Sequence, residues 1–252
     1  AMHGSVVIPF EYAEAVADGK TRGLRFEAEE TFAVADPADH LAKLVEQGII
    51  VNADERKRTI LEQVKAIAAE VGGEIEDDPK LLAEVTHLVE APTALLGKFD
   101  EEHLDLPREV LVSVMKKHQR YFPVEKDGKL LPYFVTVRNG GDQHMDIVAA
   151  GNEAVVRARF KDGAFFVSED RNQKLEDFLD RLGTLTFQKD LGSMRDKSER
   201  LTKLVKDLAS AFQLDDADLK ATSRAAELSK ADLATSMVVE MTSLQGIMGW
   251  HY

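Results

Sequence analysis

Cationic and aromatic side chains are concentrated in the segment Met115–Phe122, which reads MKKHQRYF. Between Arg108 and Arg138 there are seven Lys or Arg residues and three Asp or Glu residues, whereas the whole chain has a formal net charge of -13. Clustered cations neutralise RNA phosphates, and arginine and aromatic faces stack on unpaired bases. The candidate RNA-binding residues are Lys116, Lys117, His118, Arg120 and Tyr121. The alternative is a surface helix that leads into a core strand, with solvated cations and a buried Tyr121.

Two further arginines, Arg157 and Arg159, are also candidates for contact with RNA. Glu153 lies four residues before Arg157 and can pair with it across one turn of a helix. Both interpretations, RNA contact and a solvated ion pair, are open for these two arginines.

The sequence carries none of the common signatures of enzymatic chemistry. It has no glycine-rich phosphate loop, no dinucleotide-binding turn and no nucleophile elbow. Its seven histidines are scattered and form no compact metal pair. Adjacent acidic residues, such as Glu101 and Glu102, point their carboxylates apart in regular secondary structure. We therefore predict no catalytic residue, metal site or cofactor from these residues.

The composition is compatible with a soluble protein that has a sizeable core. A chain of 252 residues is long enough for one large domain or two small ones. The absence of cysteine agrees with a reducing compartment, and no apolar run approaches the roughly 20 residues that span a bilayer. We therefore expect a cytoplasmic protein. Because its overall negative charge repels phosphate, any RNA contact should be confined to local basic patches.

Alternating short strands and helices predict an α+β domain over residues 6–146. Val6–Phe10 reads as a strand, and Gly19–Gly23 predicts a turn before an extended segment at Leu24–Glu27. Three amphipathic helices follow, because apolar residues recur at three- and four-residue spacings. Their apolar faces cover residues 41–45, 60–71 and 81–89.

The basic segment lies between a predicted helix and a predicted hairpin. Pro107 is well placed to begin a helix over Glu109–Lys117. Gln119–Glu125 and Lys129–Arg138 read as strands, and the Asp-Gly pair between them is a strong hairpin signal. The candidate RNA-binding residues should therefore lie at the end of the helix and the beginning of the hairpin.

From about Ile147 the sequence is almost entirely helical. One helix is predicted to end near Gly163 and another to begin near Ser168, so that residues 147–190 form a helical linker.

Residues 191–252 form a further helical region in this interpretation. An apolar stripe from Leu191 to Phe212 is typical of a helix packed in a core. Asp215 or Asp216 can cap a last helix that extends to Met241.

Six ordered blocks of the sequence resemble the beta subunit of the bacterial, tetrameric glycyl-tRNA synthetase. The blocks are Thr21–Phe26 (TRGLRF), Leu88–Leu111, Met115–Phe122, Gly151–Asp170, Thr186–Leu201 and Ser229–Gly249. Ordered blocks at matching spacing are more specific than any single motif. The chain departs from the family at Leu24, where histidine is usual, and at Ala91, where an aromatic residue is usual. Roles proposed for those two positions are therefore not transferred.

The resemblance implies a non-catalytic fragment of a glycine–tRNA ligase. In this family the alpha subunit holds the active site that uses ATP and magnesium, and the beta subunit resembles a partner for RNA recognition and assembly. The implied partners are the alpha subunit, glycine tRNA and a second beta subunit. A purely structural protein-interaction scaffold is the alternative.

The resemblance also divides the fragment into two kinds of domain. Residues 6–146 resemble the B3/B4 domain of the phenylalanyl enzyme's beta subunit, and residues 191–252 resemble a truncated HD domain. HD phosphohydrolases bind metal through a His-Asp dipeptide and a distant Asp, which Asp232 could match. Because no histidine here is followed by aspartate, metal-dependent hydrolysis is the weaker alternative.

Overall fold

The computed structural model describes residues 1–25 and 31–252. Within them the chain forms two compact units. The first contains Ala1–Asp100 and Met115–Val155, and the second contains Glu101–Val114 and Val156–Tyr252. Helices and small antiparallel sheets occur together, which confirms the prediction of a mixed α and β protein. The predicted domain boundaries at residues 146 and 190 stay predictions.

The secondary structure consists of short strands and of helices of very different length. The strands are β1 (Met2–His3), β2 (Val6–Val7), β3 (Glu11–Tyr12), β4 (Ala15–Val16), β5 (Lys20–Arg22), β6 (Thr31–Ala33), β7 (Glu74–Ile75), β8 (Pro92–Lys98), β9 (Phe122–Lys126), β10 (Lys129–Asn139), β11 (Thr186–Gln188) and β12 (Gly192–Ser193). The helices are α1 (Pro37–Glu46), α2 (Ala53–Glu70), α3 (Pro79–Leu88), α4 (Arg108–Ser113), α5 (Met145–Arg171), α6 (Met194–Leu208), α7 (Asp216–Leu228), α8 (Ser236–Glu240) and α9 (Ile247–His251). Among the described residues, no helix is both long and apolar enough for a membrane span.

Three two-stranded hairpins, β1–β2, β3–β4 and β5–β6, form the beginning of the first unit. The predicted turn at Gly19–Gly23 is wrong, because Lys20–Arg22 is strand β5 and Arg22 lies opposite Thr31 of β6. Backbone pairing with a later strand overrides the local preference of these residues for a turn. Of the extended segment predicted next, Phe26 and Glu27 lie outside the described residues.

A four-stranded antiparallel sheet in the order β7-β9-β10-β8 forms the centre of the first unit. Helices α2 and α3 pack against it and bury Ile60, Val64 and Val85 together with Val135 of β10. The predicted hairpin is confirmed, and its turn has φ +50° at Asp127 and +75° at the following glycine. Positive φ at both positions is what a two-residue hairpin turn requires.

Local capping explains where helices α1, α2 and α3 begin. The side chains of Asp36, Asn52 and Asp78 each accept backbone N–H groups of the first turn of α1, α2 and α3. Such a cap satisfies donors that have no partner within the helix, and contributes about 1 kcal/mol. At the other end, α2 stops before Gly72, as predicted.

The prediction of two helices divided near Gly163 is wrong, because α5 is a single helix. It runs without interruption from Met145 to Arg171, and Gly163 is buried inside it. A Cβ atom at this glycine would lie 3.3 Å from Cγ1 of Val110. The glycine therefore permits close packing against α4 rather than ending the helix.

Two further predictions, both for the last part of the second unit, are wrong. Helix α7, which Asp215 caps, ends at Leu228, and shorter turns and helices replace its predicted continuation to Met241. The stripe from Leu191 to Phe212 was predicted as core, yet Leu191, Leu208 and Phe212 are exposed within the second unit. Most buried side chains of this unit lie elsewhere, and its largest fully buried ones are Phe160, Phe178, Leu111, Leu182, Met237 and Met248.

Candidate nucleic-acid interface

The segment Met115–Phe122 lies at the junction between α4 and strand β9. Helix α4 passes into one π-helical turn, Val114–His118, in which each turn contains an additional residue. Arg120 then adopts a left-handed conformation with φ +57°, and the N–H of Tyr121 donates to the carbonyl of Met115 at 2.9 Å. This geometry leads the chain from the helical turn into strand β9.

Lys116 is bound by two carboxylates and is only 18% exposed. Its Nζ lies 2.9 Å from Glu76 and 3.1 Å from Asp78. Burial alone would lower the pKa of Lys116, but its hydrogen bonds to these carboxylates outweigh burial and raise the pKa above its ordinary value. The charge on Lys116 is thus largely neutralised by neighbours in the same unit.

Arg120 also has an acidic partner. Its Nε donates to Glu84 at 2.7 Å, and its Nη1 donates to the carbonyl of His118 at 3.2 Å. Both side chains of the ion pair are nearly half exposed, so water and salt screen the attraction.

Tyr121 is buried in the first unit, and 6% of its surface is exposed. Its ring stacks on Phe134 with centroids 4.7 Å apart, and its hydroxyl donates to Asn152. Burial raises the pKa of this phenol above its ordinary value. The ring contact and the hydroxyl partner of Tyr121 therefore both lie within the first unit, as in the alternative interpretation, which has a buried Tyr121.

Lys117 and His118 differ from their neighbours, because both side chains are exposed and neither forms an ion pair within residues 1–25 and 31–252. In the second unit Arg159 is exposed on α5, whereas Arg157 is half-buried and already has an interaction partner. The structure thus separates the predicted residues into an internally engaged set and an accessible set. The accessible set contains Lys117, His118 and Arg159.

Asp232 is a buried carboxylate of the second unit that already has a structural partner. It is 3% exposed and accepts the N–H of Gly246, a residue in a left-handed conformation with φ +80°. A role for Asp232 as a metal ligand stays a prediction.

Sequence reasoning missed a groove in the first unit whose walls carry several cationic groups. We call it the arginine groove; it has a volume of about 680 Å³. Its basic lining residues are Arg22, Arg25, Arg56, His40 and His87. The sequence contained one local signal, the spacing of three between Arg22 and Arg25 in the block TRGLRF, but Arg56 and His87 reach the groove only through the fold.

A family model described as "Glycyl-tRNA synthetase beta subunit" matches residues 1–252, the entire chain. The chain is 47% identical over 252 residues to the glycine–tRNA ligase beta subunit of Oceanobacillus iheyensis and covers 36% of that protein. The Clostridioides difficile protein of the same name is 45% identical over 252 residues, with 36% of it covered. The Bacillus subtilis one is 44% identical over 253 residues, with 37% covered. All three alignments include 100% of this chain, which thus spans little more than a third of their length. The chain belongs to the glycyl-tRNA synthetase beta subunit family.

Proposed function

We propose that this chain is the part of a glycine–tRNA ligase beta subunit that binds tRNA and contributes to subunit assembly. The observation that carries the proposal is the family match over all 252 residues. In this proposal the alpha subunit joins glycine to its tRNA with ATP and magnesium, and the present chain supplies no catalytic group. Its partners are the alpha subunit, glycine tRNA and a second beta subunit, and it acts in the cytoplasm.

The proposed architecture has a B3/B4-like part over residues 6–146, a linker over 147–190 and an HD-like part over 191–252. The antiparallel sheet covered by α2 and α3 supports the first assignment, and the predominance of helices after β12 supports the last. Neither assignment provides a reaction, because a fold does not by itself specify a function.

The proposed RNA contact in the first unit is made by Lys117 and His118. Both lie between Lys116 and Arg120, which are held by carboxylates on either side. The backbone of the two exposed side chains lies in the hydrogen-bonded π-helical turn Val114–His118. A side chain on a fixed backbone loses less conformational entropy when it meets a phosphate than one on a mobile loop. Lys117 supplies charge, and the imidazole of His118 can stack on a base or donate a hydrogen bond.

The decisive experiment measures glycine tRNA binding by the assembled enzyme over a range of salt concentrations. We expect the double substitution Lys117→Ala and His118→Ala to weaken binding several-fold and to reduce the salt dependence by about one phosphate contact. Lys126→Ala is the matched control, because Lys126 is an exposed lysine of the hairpin that follows the segment. Equal affinity and equal salt dependence in all three proteins would contradict this contact.

A structural scaffold is the second candidate function, and the inward contacts of Lys116, Arg120 and Tyr121 favour it. If the segment only maintains the fold, the double substitution at Lys117 and His118 leaves tRNA affinity per assembled enzyme unchanged. Substitution of Lys116 then lowers subunit association or the melting temperature.

A further inference from the structure

Among the described residues, the arginine groove combines a high density of positive charge with little negative charge. Three arginines and two histidines line it, and Glu90 is its one acidic lining residue within the described parts of the chain. This balance is the reverse of the whole chain, which carries a formal net charge of -13. A concave surface with charge of one sign concentrates ligands of the opposite sign.

Arg56 provides a fixed positive charge in the wall of the groove. Its Nε donates to the carbonyl of Thr86 at 2.8 Å, and its Nη1 donates to the carbonyls of Ile50 and Val51. All three partners are neutral, and among residues 1–25 and 31–252 no carboxylate pairs with this guanidinium. The geometry of Arg56 is thus determined by the backbone while its charge remains uncompensated.

Arg22 and Arg25 lie on either side of a buried anchor. Leu24 between them is 4% exposed, whereas both arginine side chains are exposed. Gly23 lies so close to α1 that a Cβ atom there would be 2.6 Å from Oε1 of Gln47. Within the described residues, neither Arg22 nor Arg25 forms an ion pair. Both guanidinium groups are therefore accessible at a well-packed edge of the first unit.

A second cavity continues the positive surface beyond Arg25. It has a volume of about 300 Å³ and is lined by Arg25, Arg138 and His144 among others. Arg138 is oriented by a hydrogen bond from its Nη1 to the carbonyl of Gln143 at 2.6 Å. Because the two cavities share Arg25, arginines line two neighbouring cavities rather than a single pocket.

We propose that the arginine groove binds consecutive phosphates of an RNA strand, an inference that rests on the proposed tRNA-binding function. Guanidinium groups suit this ligand because they bind phosphate oxygens in bidentate geometry. A free nucleotide is the other source of phosphate. The RNA strand is favoured because the basic residues are spread over two cavities that share Arg25.

The test uses the beta subunit in its natural length, assembled with the alpha subunit, and a transcript of glycine tRNA. We expect the combination of Arg22→Ala and Arg25→Ala to weaken tRNA binding about tenfold and to lower the slope of log affinity against log salt by roughly 1.4 to 1.8, as for two phosphate contacts. The combination of Arg22→Lys and Arg25→Lys keeps the charges and should retain most of the salt dependence. Melting temperatures verify that each variant is folded.

The matched control combines Arg58→Ala with Lys65→Ala, which removes two exposed cations from α2 outside the groove. Equal losses in the control and in the groove variant would overturn the inference, because the effect would then be one of net charge alone. Unchanged tRNA binding in the groove variant would also overturn it, while the proposed function would stand. Failure of the unsubstituted enzyme to bind tRNA would remove both.

A calorimetric titration with ATP and with inorganic phosphate distinguishes the two sources of phosphate. Binding of either small ligand that depends on Arg22 and Arg25, without an effect of these residues on tRNA affinity, would overturn the assignment to an RNA strand. We expect the reverse, a loss of tRNA affinity with no measurable loss of binding for the small ligands.

Discussion

The Nζ atom of Lys116 lies 3.1 Å from Oδ2 of Asp78, the residue that caps helix α3. One ion pair thereby connects the basic segment before β9 with the first turn of a helix in the same unit. Glu76 binds the same ammonium group at 2.9 Å. Glu76 and Asp78, which lie just before α3, thus neutralise part of the charge of the basic segment.

We expect Lys116→Met to lower the free energy of unfolding by about 1–2 kcal/mol, because it removes a charged hydrogen-bond donor from two carboxylates. Methionine preserves most of the apolar stem, so the effect reports the lost charge. Urea unfolding followed by circular dichroism measures the change. The neighbouring Lys117→Met is the control and should stay within about 0.5 kcal/mol of the unsubstituted protein. Equal stability of the two variants would contradict the structural role of Lys116.

The stability contributed by Asp78 should depend on pH. Burial raises its pKa, but the N–H of Leu81 and the ammonium of Lys116 outweigh burial and hold the pKa below its ordinary value. The contribution is therefore complete above about pH 4, the ordinary carboxyl range, and is lost as the pH falls through the lower pKa of the folded state.

Melting temperatures of the unsubstituted protein and of Asp78→Asn, measured from about pH 6 to about pH 2.5, provide the test of this dependence. Asparagine retains an oxygen that can cap the helix, so the difference isolates the charge. The two melting temperatures should converge as the pH falls. A difference that stays constant over the whole range would show that the carboxylate charge does not stabilise the fold.

Asp170 should be among the residues of the second unit most sensitive to substitution. Its carboxylate is 1% exposed and accepts the N–H groups of Ser236 at 2.7 Å and Met237 at 2.9 Å, and the hydroxyl of Tyr252 at 2.8 Å. Asp170→Ala leaves three donors without this partner and should cost about 2–4 kcal/mol in thermal or urea unfolding.

Tyr252→Phe separates the contribution of the phenol from that of the helix cap. It removes one of the three donors and should cost about 1 kcal/mol. Burial and the Asp170 carboxylate raise the pKa of Tyr252, so its absorbance change should appear only at strongly alkaline pH. If Tyr252→Phe were as destabilising as Asp170→Ala, the cap on α8 would carry little of the stability.

Features governed by neighbouring residues were predictable from the sequence. The Asp127-Gly128 turn and the Asp215 cap of α7 both depend on side chains within a few positions. Each was confirmed because the local conformation and the final fold agree at that position.

Features governed by distant residues were not predictable in this way. The interruption of the last predicted helix depends on Asp170, which caps α8 from 66 residues away in sequence. The continuity of α5 at Gly163 depends on packing against Val110. The arginine groove likewise brings Arg22, Arg56 and His87 together from three separate elements. No periodicity or spacing within one segment could reveal these relationships.

The backbone carbonyls that hold Arg56 have a kinetic consequence for any ligand of the groove. A guanidinium group with three neutral backbone acceptors cannot swing towards an approaching anion, so an encounter complex must adjust through Arg22, Arg25 or the ligand itself. The ligand would then contact the stationary Arg56 first and the mobile side chains of Arg22 and Arg25 afterwards. Substitutions of Arg22 or Arg25 should therefore change mainly the dissociation rate of the ligand, because its first encounter depends on the charge of Arg56, which is already in place.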